Sequence, residues 1–475
     1  MIKISNTLTG LKEEFVPRQK DKIGFFVCGP TVYDYSHIGH AKTYIFFDVA
    51  ARYLRHRGYN VYYLQNITDI DDKIISRARE EKRKPEEVAE EFMEKYLEDM
   101  RSLKVDSVSK YAKATKYIKE ITDQIKRLLD KGYAYTAPSV AIGLTDNVDN
   151  SKNLDVYFDV SKFQEYGNLS KQNLAELESG TRVEVETNKR DPKDFVLWKA
   201  QNYAYEPSWK SPWGMGRPGW HIEDTAISEK SLGQQYDIHG GAVDLLFPHH
   251  EAEIAQMEAL SAKRPFVKYW LHTGFLTVNG EKMSKSLHNF ITIRDALKEH
   301  SREALRMMAI ANYYRSPFDY KDKMMRQFDA AVNRLAEFAG KVGEAKGQDG
   351  TMVGKSLIKA RKKFFDSMDD DFNTSGALAA LFELVREINP LLVSNSLSRK
   401  EAGEMGGFLA EVNSILGIIP QEKPKIPKEV MGLVEEREKE RTEKNWKHAD
   451  DIRHGIEQLG YLIEDTSYGP YLKKK

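Results

Sequence analysis

IGFFVCGPTVYDYSHIGHA, residues 23–41, decides how this chain is read. Ile23 to Val27 is an unbroken apolar run closed by the turn pair Gly29-Pro30, the pattern of a buried strand. Apolar positions then recur at helical spacing from about 39 to 57, and Val61 to Gln65 reads as a second strand. Strand, helix and strand in that order predict the parallel sheet of a nucleotide-binding α/β domain. At the junction His37 and His40 stand at i and i+3, so both rings can face one way. A helix N-terminus there would offer unpaired N–H groups and the positive dipole end to a triphosphate. Two surface or capping histidines are the plainer alternative for so short a motif.

Outward from this stretch, the charge-rich segment 75–132 reads as helical and 135–200 as short mixed pieces, an insertion in the sheet. Strand signals resume at Tyr236 to His239 and Tyr269 to Val278, with a helix at about 249–261 between them. Beyond residue 300 the pattern is almost wholly helical until QEKPKIPKEV, a charged, proline-bearing linker to a small unit at 428–475. The expected segments are 1–120 and 206–300 for the two halves of the α/β domain, 121–205 for the insertion, 301–420 for a helical bundle and 421–475 for the last unit.

A chain of 475 residues has room for about three domains. Basic and acidic residues balance at 72 each, so an RNA partner would be held by local patches rather than by a global field. The one cysteine, Cys28, excludes an internal disulfide and suits a reducing compartment. With no signal-like start and no long apolar run, a cytoplasmic protein is expected, with no membrane partner.

Two further constellations carry chemistry. Lys282 and Lys285 lie in GEKMSKS, after a predicted strand, where two ammonium groups on a mobile loop would neutralise charge on a leaving pyrophosphate. An ordinary solvated basic loop is the alternative for the segment alone. His249 and Glu253 in PHHEAEIAQ are spaced i and i+4, and Cys28 offers a thiolate from the end of the first strand. Thiolate, imidazole and carboxylate together suit Zn²⁺, although a helix cap and a surface pair would also explain the segment.

With both motifs in hand, the sequence resembles the class I aminoacyl-tRNA synthetases through His37-Ile38-Gly39-His40 and Lys282 to Ser286. CGPTVYDYSHIGHAK, NITDIDDKI, YFDVSKFQEYGNLS, DFVLWK, GRPGWHIE, DIHGGAVDLLFPHHEAEIAQ and WLHTGFLTVNGEKMSKSLHNF resemble the cysteine-specific branch, from about residue 2 to 475. The resemblance implies a Rossmann-type catalytic domain split by an insertion, a helical bundle and a small C-terminal anticodon-binding unit. It implies a monomer that makes cysteinyl-AMP from L-cysteine and Mg²⁺-ATP, releases pyrophosphate and esterifies the 3′ end of tRNA(Cys). His37, His40, Lys282 and Lys285 would be catalytic, and Gly29, Gly39, His239 and Gly240 would join them around ATP. Cys28, Thr68, Trp220 and His221 would form the cysteine pocket, with core packing the alternative for Trp220. Arg441, Trp446, Asp450 and Asp465 would contact anticodon bases, a solvated helix face being the alternative.

In the family one zinc is held by two cysteines, a histidine and a glutamate. This chain matches three of them with Cys28, His249 and Glu253 but has Asp224 where the bacterial pattern GWHIEC has its second cysteine. Asp224 is expected as the fourth ligand, since oxygen binds Zn²⁺ at about 2.0–2.2 Å and the exchange conserves charge. The alternative is that Asp224 only hydrogen-bonds nearby. Two rival functions are a ligase joining activated cysteine to a small amine, whose relatives lack the C-terminal extension, and a silent RNA-binding protein, which would have no need of both motifs.

Overall fold

The structure is a computed structural model that describes the chain except at residues 140–152, 173–187, 284–286, 288, 346, 348–352, 395, 421–426, 467–468 and 475. The chain divides into two compact units, Met1–Arg302 with Asn312–Lys321 and Asp369–Phe372, and Glu303–Ala311 with Asp322–Met368 and Asn373–Lys475.

The first unit is built on strands β1 (Lys22–Val27), β2 (Asn60–Ile67), β3 (Lys110–Lys113), β4 (Tyr236–Ala242) and β5 (Val267–Thr273). They lie in the order β3-β2-β1-β4-β5, and every neighbouring pair is parallel. Helices cover the sheet, so β1 is apolar throughout its buried part, with Phe25, Phe26 and Val27 wholly enclosed. Three helices matter below: α1 (Ile38–His56), α2 (Trp220–Leu232) and α3 (Glu251–Ser261). Strand order reverses between β1 and β4, which opens a crevice outside their carboxyl ends, the usual ligand position in such sheets.

Between β3 and α2 the chain forms a second, antiparallel sheet whose strands run from Ala134–Pro138 to Gly214–Pro218. The insertion therefore carries its own sheet, and that sheet continues past residue 205.

Tyr269 to Val278, expected as one strand, is two. At Gly274 an added Cβ would lie 2.4 Å from the Arg315 carbonyl oxygen, so only glycine lets the chain leave β5 there. The following Leu276–Val278 pairs with Phe318–Tyr320 in parallel and with Glu281–Lys282 in a hairpin. Lys282 thus sits on a short strand rather than in an open loop, and the mainly helical region beyond residue 300 supplies one strand of the same sheet.

In the second unit, helices Asp322–Glu344, Val353–Asp369, Thr374–Val393 and Arg399–Leu416 bury Leu335, Phe364, Leu381, Leu384 and Met405. Helices Lys428–Thr442 and Trp446–Gln458 and the hairpin of Tyr461–Thr466 and Gly469–Lys474 share a separate small core of Val430, Val434, Ile452, Ile456 and Ile463. None of the described helices is long and apolar enough to cross a membrane.

Candidate active site and metal centre

Cys28 follows the last residue of β1, and its N–H donates to the Gly240 carbonyl of β4 at 3.0 Å, which fixes the thiol at the crevice. Around it converge Asp224 from the second turn of α2, His249 from the wide turn Leu246–His250, and Glu253 from α3. Cys28 Sγ is 3.2 Å from Asp224 Oδ2 and 3.9 Å from Glu253 Oε1. His249 Nε2 is 3.1 Å from Asp224 Oδ2 and 3.3 Å from Glu253 Oε1. Tetrahedral zinc with bonds of about 2.0–2.3 Å separates its ligand atoms by roughly 3.3–3.8 Å, so these spacings fit one ion.

The electrostatics fit a cation as well. All four side chains are buried, and Asp224 Oδ1 and Glu253 Oε2 have no hydrogen-bond partner among the described residues. Burial, then Asp224 and Glu253, push the Cys28 thiol well above its ordinary range. Burial and Asp224 do the same to the Glu253 carboxyl. Without a positive ion these groups cannot all ionise together, whereas a divalent ion holds each in its anionic form.

Histidines pack behind the cluster. His249 Nδ1 is 2.8 Å from His221 Nδ1, and Trp220 stacks on the His249 ring at 4.1 Å while remaining 37 % exposed. Trp220 therefore covers the cluster from the solvent side and is not core. His221 touches His249 and aims its ring at Phe195, so it braces a candidate ligand. Thr68 is buried just after β2 and bridges to Thr31.

His239 and Gly240 lie in the middle of β4. His239 is wholly enclosed in β4, with Nε2 3.3 Å from Cys28 Sγ and Nδ1 2.7 Å from the Tyr236 hydroxyl, because a central parallel strand leaves it no open face. A Cβ on Gly240 would meet the Phe47 ring at 2.4 Å, so the close approach this glycine permits is that of α1. His250 also reaches Cys28 (3.1 Å) and passes on to His272 Nε2 at 2.8 Å. With Cys28 and Glu253, His239 and His250 form a second group of metal-type donors.

The two histidines of HIGH form the capping box of α1, His37 as its N-cap and His40 at N3. His37 Nδ1 accepts from Gly39 N–H at 3.1 Å, His40 Nδ1 accepts from His37 N–H at 3.3 Å, and the rings stack 3.9 Å apart. Capping and an outward role are therefore not alternatives: with both Nδ1 atoms accepting, each neutral ring carries its proton on Nε2. Burial holds His37 down to about 4, and burial, then His37 and Lys73, hold His40 well below its usual range. Gly39 is required, since a Cβ there would lie 2.8 Å from His37 Cε1 and 3.3 Å from Met283 Cε.

Met283 belongs to KMSKS, so the two signature segments touch. Backbone bonds from Ile38 N–H to the Ile291 carbonyl and from Ile293 N–H to the Ser36 carbonyl tie HIGH to the segment that follows KMSKS. Lys282 is exposed, its ammonium 5.8 Å from the Phe275 ring. Lys285 lies outside the described residues, and Gly29 packs so closely on Asn66 that a Cβ would lie 1.8 Å from its carbonyl oxygen.

Residues 14–330 match the family described as tRNA synthetases class I (C) catalytic domain, and 363–420 match the DALR domain. The chain belongs to the cysteine-specific class I tRNA synthetases. It is 44 % identical to a cysteine–tRNA ligase of Thermococcus gammatolerans, covering all of this chain and 99 % of that one. It is 45 % identical to one of Thermoplasma volcanium over 97 % of each. Among solved structures, the Mycobacterium tuberculosis methionyl-tRNA synthetase in complex with methionyl-adenylate superposes with a TM-score of 0.59 at 15 % identity, over 83 % of this chain and 89 % of that one, a likeness of fold. Membership in this synthetase family accounts for the pairing of HIGH with KMSKS across the crevice.

In the C-terminal helices and hairpin, Arg437 holds Asp465 through two bonds of 2.7 and 2.9 Å, and Arg441 pairs with the same carboxylate. Asp465 sits on a strand, not on the expected helix. Trp446 is 59 % exposed at the start of its helix, and Asp450 is exposed one turn on.

Proposed function

We propose that this synthetase activates L-cysteine with Mg²⁺-ATP and charges tRNA(Cys), as a cytoplasmic monomer with one zinc per chain. The observation that carries the reading is the buried group Cys28, Asp224, His249 and Glu253 set at the crevice beside HIGH. These four residues would hold the zinc. When bound, that ion supplies a thiophilic Lewis acid, which favours a thiolate over the hydroxyl of serine. His239 and His250, each within 3.3 Å of Cys28 Sγ, are assigned as hydrogen-bond partners of the thiolate.

In the first half-reaction the substrate carboxylate oxygen attacks the α-phosphorus of ATP and pyrophosphate leaves with the bonding pair. His37 and His40 donate from Nε2 to phosphate oxygens; as neutral donors they stabilise charge that grows in the transition state without releasing a proton. Gly29, packed on Asn66, and Gly39, packed on His37, keep the backbone of the nucleotide site in place, and Lys282 and Lys285 neutralise the departing pyrophosphate. In the second half-reaction a terminal ribose hydroxyl of the tRNA attacks the carbonyl carbon and AMP leaves. Trp220 and Thr68 wall the cysteine pocket, and Trp446, Arg441, Asp450 and Asp465 contact the anticodon from the unit at 421–475.

ATP–pyrophosphate exchange with each amino acid in turn, followed by aminoacylation of total tRNA, tests the assignment. Cysteine should drive exchange and serine, methionine and valine should not; activation of serine within about tenfold of cysteine would sink the zinc-selected pocket. Exchange without charging would favour the small-amine ligase.

A further inference from the structure

Next to Asp224 stands an acid that neither the cluster nor the nucleotide site uses. Glu223 lies in the first turn of α2, wholly enclosed, and neither of its carboxylate oxygens has a hydrogen-bond partner among the described residues. The groups that act on it most strongly besides burial are Asp224, Asp69 and Asp71, all negative, while the nearby Thr68 side chain acts weakly the other way. The other acids nearby are committed. Asp69 accepts from Thr115 N–H at 2.9 Å and from its hydroxyl at 2.6 Å, and Asp71 caps the helix Asp72–Glu80 by accepting from Lys73 N–H at 2.8 Å. A buried carboxylate without donors is costly, so one retained here calls for a cation to complete it.

We infer that Glu223 receives the α-ammonium group of the substrate amino acid. This rests on the reading of the neighbouring cluster as the seat of the substrate sulfur. In cysteine the amine is three bonds from the sulfur. Asp224 and Glu223 are consecutive on α2, one turned to the cluster and the other toward Thr68 at the end of β2. Glu223 also lies three residues from Trp220, so the two share a helix flank at the cluster's open side. Sulfur on one side of Asp224 and ammonium on the other would orient the substrate, leaving its carboxylate toward the nucleotide. Glu223 belongs to neither group of metal-type donors, which leaves it free for this role.

Equilibrium dialysis of labelled cysteine, displaced by 3-mercaptopropionate, tests it, because that analogue is cysteine without its amine. The wild-type protein should bind cysteine on the order of 30-fold more tightly than the analogue, the range of a charge-assisted hydrogen bond. Glu223→Gln should bring the ratio to within about threefold by weakening cysteine alone, with bound zinc and the affinity for ATP unchanged. If the Gln variant does not fold, Glu223→Asp, which shortens the reach, must weaken cysteine more than the analogue. Equal weakening of both ligands, or a wild-type protein that binds them alike, overturns the inference. Failure of the underlying reading shows separately, as absence of cysteine-dependent exchange in the wild type.

Discussion

The metal cluster and the C-terminal helix pair use the same kinds of side chain to opposite ends. At the cluster, Cys28, Asp224 and Glu253 are buried against one another with carboxylate oxygens left over. In the C-terminal part, Asp465 is met by Arg437 and Arg441, so its charge is satisfied within the protein. Buried anions without partners are stable only with a cation added, whereas a paired carboxylate at the surface contributes little and asks for nothing. The contrast separates a buried site built for a cation from a surface pair balanced within the protein, beside which Trp446 is exposed to a partner.

The largest effect that would break the comparison is at Asp224. Asp224→Ala should lose zinc, measured by metal analysis, together with cysteine activation, by about 10²–10³-fold, the cost of breaking a buried charged set. Asp224→Cys should keep both. An alanine variant with full zinc and unchanged selectivity would move Asp224 out of the ligand set and leave His250 or His221 to take its place.

Next comes removal of the C-terminal part. Truncation after residue 420 takes away helices and hairpin that have their own small core. Cysteine-dependent exchange should stay close to wild type while charging of tRNA falls by about 10²-fold, as expected when one of two linked contacts is lost. Parallel loss of exchange would mean that this part supports the folding of the rest.

A finer test is Trp446→Ala, which should raise the KM for tRNA by an amount equivalent to about 1–3 kcal/mol if a base stacks there. No change in charging would return Trp446 to an incidental surface residue.

The smallest effect concerns His37, held by burial at about 4 against an ordinary value of 6.5. A depressed value means that the neutral ring favours the folded state, a contribution complete above pH 6.5 and lost as pH falls through about 4. The wild-type melting temperature should therefore drop relative to that of His37→Asn across this window, by about 2–4 °C at most for a half-buried ring. A difference independent of pH would mean that the ring is as solvated in the folded protein as in the unfolded one.

Much of the fold was legible because periodicity reports burial. Ile23 to Val27, the helix from residue 39 and the strand from Val61 lie within two residues of β1, α1 and β2. The break at Gly274 was not legible, since the group forbidding a side chain there is the carbonyl of Arg315, some forty residues on. The strand Phe318–Tyr320 was hidden for a related reason: three residues inside a helical stretch carry no period, and their partner is Leu276–Val278.

The sequence by itself determined the family, the parallel sheet and which residue types gather at the centre, because motifs and hydrophobic spacing are properties of the chain order. Only the tertiary structure decided which of those residues meet. It set His239 beside Cys28, backed Gly240 with Phe47, paired Arg441 with Asp465 and left Glu223 unpartnered. Each of those outcomes depends on side chains from segments distant in sequence, and on where burial removes the water that would otherwise satisfy them.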